Sequence, residues 1–322
     1  MTGDVTSAER LGPLGYGAAS VGNLHRAVSD EGAFAALDAA WDSGIRYFDT
    51  APHYGLGLSE RRLGVFLATK PRDEFVISTK VGRLLDPNPD FAGGDDMAFD
   101  FAVPNETVRR FDPSEAGVRR SIEESLERLG LDRIDIAFLH DPDAYDLDRG
   151  LAEGLPALAR LREEGVVDAI GIGTNDADAA ARAVAEGELD LVMIAGRYTL
   201  LEQPALAELL PLCEQRGVGV IAAAVYNSGL LSSATPGANG RYNYGAVPPE
   251  VLARATRLAE VCRDEGVDLP VAAMQYPLRH AAVRSVVAGS ARPADITENA
   301  ARVRAAIPEA LWTRLRDEEL IP

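Results

Sequence analysis

The chain runs to 322 residues, within the span over which an α/β barrel closes as one unit, and its 47% apolar and 25% charged residues fit a soluble globular protein. Asp and Glu number 50 against 32 Lys and Arg, and the net charge of −18 repels a phosphate backbone, which argues against nucleic acid as a partner. No stretch approaches the ~18 unbroken apolar residues of a membrane span, and MTGDVTSAERLGPLG lacks the regions of a secretory leader, so a cytoplasmic protein without a membrane partner is expected.

In chain order, eight short apolar or β-branched runs alternate with helical segments: LGYGAAS near 14–20, IRYFDT at 45–50, EFVISTK at 74–80 and IDIAFLH at 134–140, then DAIGIGT at 168–174, DLVMIA at 190–195, VGVIAAA at 218–224 and SVVAG at 285–289. This is the pattern of repeated βα units and predicts a (β/α)8 TIM barrel with long loops at its C-terminal face, one domain over 1–322. Between the first two runs, Phe34, Leu37 and Trp41 recur at helical spacing and Gly44 stops the segment. Over 112–130, Asp112 reads as an N-cap, Pro113 as N1 and Glu115 as N3, with Gly130 at the end. Two segments break the rhythm after strand C-termini, 83–111 and 226–247, both rich in Gly, Pro and polar residues; they are expected to overhang the mouth of the barrel. Cys213 and Cys262 fall in amphipathic segments without a C-x-x-C spacing and read as buried thiols. His25, His53, His140 and His280 form no metal-binding pattern, so no metal is expected.

Function in such barrels sits at strand C-termini. Asp49 ends the second run, Tyr54 follows in its loop, Lys80 ends the third and His140 ends the fourth. Hydride added to a carbonyl carbon leaves charge on oxygen, and a phenol donates or withdraws the proton there. A nearby ammonium stabilises tyrosinate, so Lys80 is expected to lower the Tyr54 pKa from its usual ~10, with Asp49 orienting Lys80 and His140 fixing the substrate oxygen.

FDTAPHYGLGLSERRLG at 48–64, Lys80, ERLGLDRIDIAFLHDPD at 127–143, GIGTND at 171–176 and GSARPADITENA at 289–300 together resemble the aldo-keto reductase superfamily. The resemblance implies a catalytic tetrad of Asp49, Tyr54, Lys80 and His140 and a bound NAD or NADP. YGAASVGNL, LHDPD, GRYTLLEQ and YNSGLL are similar to the bacterial L-fucose and D-threo-aldose 1-dehydrogenase branch, with its L-galactose and pyridoxal dehydrogenase relatives. That branch implies oxidation of an aldose at C1 to the lactone, with Tyr54 as base. The competing activities are NADPH-dependent reduction of aldehydes or ketones, pyridoxal oxidation and, in another class, a nicotinamide-sensing regulatory subunit.

For the cofactor, the resemblance implies contacts from Gly17, Thr174, Asn175, Gly229, Leu230, Gly289, Ser290, Arg292, Asp295, Glu298 and Asn299. A Gly and Ser after the last strand, followed by a helix, also suit an anion on physical grounds. NADP-specific relatives carry Lys at the place of Gly289 and Arg at that of Asp295, so NAD is favoured over NADP, with Arg292 a candidate to rescue NADP binding. Ala223 and Ala195 replace the usual stacking Tyr and Gln, leaving Tyr226 or Arg197 as substitutes. Residues around Asn23, Trp312, Asp141 and Asp143 are candidate contributors to a small-molecule sugar or aldehyde pocket. Oligomeric state is not legible.

Overall fold

The computed structural model describes residues 7–243 and 245–322; residues 1–6, the first part of the segment in which no secretory leader is expected, and Tyr244 lie outside the described residues. Strands β1 (Leu14–Gly17), β2 (Tyr47–Asp49), β3 (Val76–Val81), β4 (Ile136–His140), β5 (Ala169–Thr174), β6 (Leu191–Ala195), β7 (Gly219–Ala223) and β8 (Val283–Ala288) correspond to the eight apolar runs. Each pairs in parallel with the next, and β8 pairs with β1 to close the barrel.

Both faces of these strands are covered, which is why they read as continuous apolar runs. Tyr47, Val76, Ile136, Phe138, Leu191, Met193, Ile221 and Val287 fill the barrel interior. Their sequence neighbours Phe48, Ile77, Ala137 and Leu139 belong instead to the larger core beneath the helices. This alternation fixes the site, because period 2 carries the inner face from Tyr47 to Asp49, from Val76 through Ser78 to Lys80, and from Phe138 to His140. Truncating fully buried Phe138 to Ala would cost about 3–5 kcal/mol and loosen the floor under that rim.

The helix Asp30–Asp42 begins at Ser29, whose side chain accepts from the Gly32 N–H, and ends before Gly44, whose φ of 86° suits a glycine. Ala33, Ala36, Leu37 and Ala40 are its buried face, while Phe34 and Trp41 pack at the edges. The helix over 112–130 starts later than the sequence predicts: its N-cap is Ser114, which accepts from Gly117, and Glu115 opens the helix Glu115–Leu129. Asp112 instead accepts from the Ser114 hydroxyl at 2.6 Å, so a capping residue is itself held by its neighbour. Gly130 closes the helix at φ 62°.

The segment 83–111 contains more order than its composition suggests. Arg83–Pro87 pairs antiparallel with Thr107–Phe111, and Asp95–Asp96 with Phe101–Pro104. Short alternations such as Phe101 and Val103 inward with Ala102 partly open supply a buried edge, and the Gly and Pro residues provide only the turns. Residues 226–247 are mostly turns, with one short pairing of Arg241–Tyr242 with Gly245–Ala246. Cys213 and Cys262 are buried free thiols, and burial pushes both up to about 12. Among the described residues, no helix is long and apolar enough to cross a membrane.

Candidate active site

Asp49, Tyr54, Lys80 and His140 line one cavity of about 450 Å³ where the strands end, together with Gly17, Gly173, Thr174, Ala195, Ala223 and Gly289. Lys80 Nζ donates to both oxygens of Asp49, at 2.8 and 2.7 Å, and to the Thr50 carbonyl at 3.0 Å. Ser78, one inner rung below Lys80, donates to Asp49 Oδ1 at 2.7 Å and fixes the carboxylate. The ammonium sits 4.8 Å from the Tyr54 ring centroid. The rings of Tyr54 and His140 are perpendicular with centroids 6.0 Å apart.

Tyr54 is held in place by its own loop. The Ser59 N–H donates to the Tyr54 carbonyl, and Gly55, at φ 61°, presses so close to the Gly22 carbonyl that a Cβ there would lie 2.1 Å from its oxygen. The rest of the 48–64 motif serves as scaffold. Ser59 donates to the Ala18 carbonyl at 2.8 Å, and buried Glu60 accepts from Thr79 at 2.8 Å and Arg128 at 2.6 Å.

The charge state of the site differs from expectation in one respect. Burial pushes the Tyr54 phenol up to about 12; Lys80 pulls it back, and Asp49 adds to the rise. Lys80 thus acts in the expected direction without bringing the phenol below its ordinary value, because the hydroxyl loses its water. Burial also opposes the Lys80 charge, but Asp49 and Tyr54 beside it raise its pKa overall. His140 is held well below the ordinary histidine range by burial and then by Arg83 and Lys80, so it is a neutral imidazole. Its Nδ1 is buried without a partner among the described residues.

The other half of the mouth is built from small residues. Gly289 follows β8 against β1, where a Cβ would lie 2.1 Å from the Gly17 carbonyl oxygen, so no side chain fits there. Beyond it, Ser290 donates to Asp295 at 2.7 Å, the Arg292 N–H donates to Ser290 at 3.1 Å, and Arg292 Nε donates to Asp295 at 2.8 Å. The helix Pro293–Arg302 has no side-chain N-cap. Glu298 pairs with Arg302 at 2.8 Å, and Asn299 accepts from the Tyr226 hydroxyl at 2.8 Å. The last contact brings the turn that holds Gly229 and Leu230 against this helix. A rim of small residues, two adjacent glycines and a helix start without a side-chain cap suit an extended dinucleotide with a pyrophosphate.

Of the sequence candidates, the four tetrad residues, Gly17, Thr174, Asn175 and Gly289 share the cavity; Gly229, Leu230, Ser290, Arg292, Asp295, Glu298 and Asn299 stand outside its lining. Tyr226 turns to Asn299, and Arg197 donates to the Asn175 carbonyl at 2.7 Å, so neither lies in the cavity. Asn23 is a structural residue, accepting from Arg62 at 2.8 Å and Val28 at 3.0 Å, although its neighbour Leu24 does line the cavity. Asp143 accepts from Thr174 at 2.6 Å and faces another cleft, whereas Asp141 lines the cavity and pairs with Arg83. Trp312 is excluded from the pocket. It is buried in the outer core against Tyr276, with the Arg279 guanidinium 4.7 Å from its ring.

Several residues of the site escaped the sequence reading. Ser78 was hidden within an apolar strand, although its inward register two residues before Lys80 is a usable signal. His53, Phe99, Asp100 and Phe101 line the cavity itself, the last three contributed by the 83–111 segment.

A family model described as the aldo/keto reductase family matches residues 13–317. The chain is 59% identical to a D-threo-aldose 1-dehydrogenase from Pseudomonas sp. over 96% of its own length and 94% of the relative's. It is 40% identical to pyridoxal 4-dehydrogenase from Microbacterium luteolum, with the same coverages of 96% and 94%. Among solved structures, the holo form of an aldo-keto reductase from Bacillus halodurans superposes with a TM-score of 0.72 at 25% identity, covering 96% of this chain and 92% of that one.

Proposed function

The chain belongs to the aldo/keto reductase family and is an NAD(P)-dependent oxidoreductase, and from that premise we propose that it oxidises an aldose at C1 to the lactone, with NAD as the preferred cofactor. The observation that carries this reading is the convergence of Tyr54, Lys80, Asp49 and His140 on one cavity beside the Gly17 and Gly289 floor. The 59% identity to a D-threo-aldose 1-dehydrogenase supports the substrate class. We further propose that the barrel works as one domain, in the cytoplasm, on a free small molecule.

When bound, the dinucleotide supplies the hydride acceptor, so hemiacetal and oxidised cofactor give lactone, reduced cofactor and a proton. Tyr54 takes the proton of the C1 hydroxyl as the C1–H bond breaks. Its phenol, raised to about 12, is protonated at neutral pH, so it is ready as an acid for reduction and must first lose its proton for oxidation. Lys80 stabilises that phenolate, while Asp49 and Thr50 hold the ammonium under the ring. His140, neutral, donates to or accepts from the same substrate oxygen and orients it without adding charge. Thr174, Asn175, Gly17 and Gly289 are assigned to the cofactor from their place on the rim.

The NAD preference rests on charge. Gly289 leaves no room for a cationic side chain, and Asp295 beside Arg292 and Glu298 beside Arg302 set a carboxylate next to each guanidinium, so a 2′-phosphate meets neutralised pairs and the repulsion of two acids. Formation of reduced nicotinamide with L-fucose, other aldoses and pyridoxal, using each cofactor, tests the proposal. Turnover of an aldose with a higher kcat/KM for NAD is expected. Exclusive turnover of pyridoxal or simple aldehydes, or a clear NADP advantage, contradicts it.

A further inference from the structure

The residue before Tyr54 is a histidine whose chemistry is set by a partner 56 positions away. Arg109 Nε donates to His53 Nδ1, and Arg109 Nη2 donates to the His53 carbonyl at 2.9 Å. A guanidinium has donors only, so Nδ1 accepts and the ring's single proton resides on Nε2. Asp96 accepts from both terminal guanidinium nitrogens of Arg109, at 2.7 and 2.5 Å, and the pair is buried, with side chains 3% and 6% exposed. The ring is enclosed by Phe99, Phe101 and His140, all edge-on, with centroids 5.8, 5.4 and 5.5 Å away.

Among the described residues His53 has no other hydrogen bond; it is partly open and lines the cavity. Its Nε2–H is therefore an unspent donor on the substrate side. Burial and the cations Arg109, Arg83 and Lys80 lower its pKa to about 2, so the ring stays a neutral donor with one fixed proton. An unpaired donor beside a reacting centre discriminates: a substrate that offers an oxygen satisfies it, and one that lacks the oxygen leaves it stranded.

We infer that His53 is a specificity-determining residue, its Nε2–H receiving the oxygen on the carbon next to the reacting carbon, so that the cavity selects 2-hydroxy aldehydes and aldoses over carbonyl compounds bare at that carbon. The placement follows from the neighbours. The Tyr54 and His140 rings, 6.0 and 5.5 Å from His53, flank the reacting oxygen in the mechanism above, and the next oxygen along a sugar is the 2-hydroxyl. Arg109 and Asp96 are positioning residues, acting through His53. The inference rests on the proposed carbonyl chemistry of Tyr54 but not on the sugar being the natural substrate.

The test compares kcat/KM for L-fucose against 2-deoxy-L-fucose in oxidation, and for glycolaldehyde against acetaldehyde in reduction, in wild type and in His53→Phe. Wild type is expected to prefer the hydroxylated member of each pair by roughly tenfold or more, and His53→Phe to bring the ratio to within about threefold of unity. His53→Gln, which keeps an N–H donor at similar reach, should restore part of the preference; a purely structural role for the ring would not produce that rescue. An unchanged preference in folded His53→Phe overturns the inference. A wild type that ignores L-fucose but loses its glycolaldehyde preference with His53→Phe overturns the aldose reading and leaves His53 assigned. Nitrogen-15 NMR of histidine-labelled wild type needs no variant: a neutral His53 protonated at Nε2 supports the assignment, and one protonated at Nδ1 overturns it.

Discussion

The two halves of the barrel mouth are built on opposite principles. Over β2–β4, charges meet in fixed pairs, buried for Lys80 with Asp49 at 2.7 Å and Arg109 with Asp96 and half-buried for Arg83 with Asp141, and they surround the rings of Tyr54, His53 and His140. After β7 and β8 the rim is glycine and alanine, and the charges lie further out, with Arg292 70% exposed beside Asp295. Buried pairs hold geometry because each partner is costly to leave alone, whereas exposed pairs are worth about 0–1 kcal/mol and yield readily to a ligand. The first half thus holds its chemistry ready before substrate arrives, and the second offers backbone and space that a cofactor fills.

The sharpest way to break this contrast is at the phenol. Tyr54→Phe should lower kcat about a thousandfold in either direction while the Kd for the dinucleotide, measured by fluorescence titration, stays within about twofold. Retention of most of the activity would remove Tyr54 from its role. Lys80→Met comes next, with a loss of about a hundredfold and an upward move of the pH dependence of oxidation, because the phenolate loses its counter-charge. It also strands buried Asp49, which should cost about 3–5 kcal/mol in denaturant titrations, and adding Asp49→Asn should recover much of that stability.

Substitutions on the cofactor side should be milder and should act on binding. Asp295→Arg is expected to raise the NADP to NAD ratio of kcat/KM about tenfold, since it removes an acid and supplies a cation. Ser290→Ala, which loses its bonds to Asp295 and Arg292, should raise the KM for the dinucleotide about threefold with little change in kcat. If either variant lost kcat as Tyr54→Phe does, the division between the two halves would fail.

The same contrast explains what the sequence made legible. Asp49, Lys80 and His140 sit at the ends of short strands whose two-residue period dictates an inward face, so residue type and position together suffice. The eight strands were legible for the same reason. The net effect on Tyr54 was not, because its burial depends on Phe101 from a distant hairpin, with ring centroids 6.1 Å apart. Nor was the Arg109 contact to His53, which spans 56 residues and depends on antiparallel pairings hidden in a Pro- and Gly-rich stretch. Asp112 and Ser114 both had cap chemistry, and only their mutual hydrogen bond decides which one caps. Trp312 was open to a second reading: at a buried position of an amphipathic helix, packing in the core is the ordinary outcome.

The most direct test of Tyr54 as the proton-transfer group is the pH profile of kcat/KM for L-fucose oxidation with NAD. With a phenol raised to about 12, the logarithm of kcat/KM should climb without a plateau from about pH 7 to about pH 10, and the reduction of glycolaldehyde should not require that deprotonation. A profile that levels off near pH 6–7, the ordinary range of an imidazole, would transfer the proton to a histidine and contradict the account.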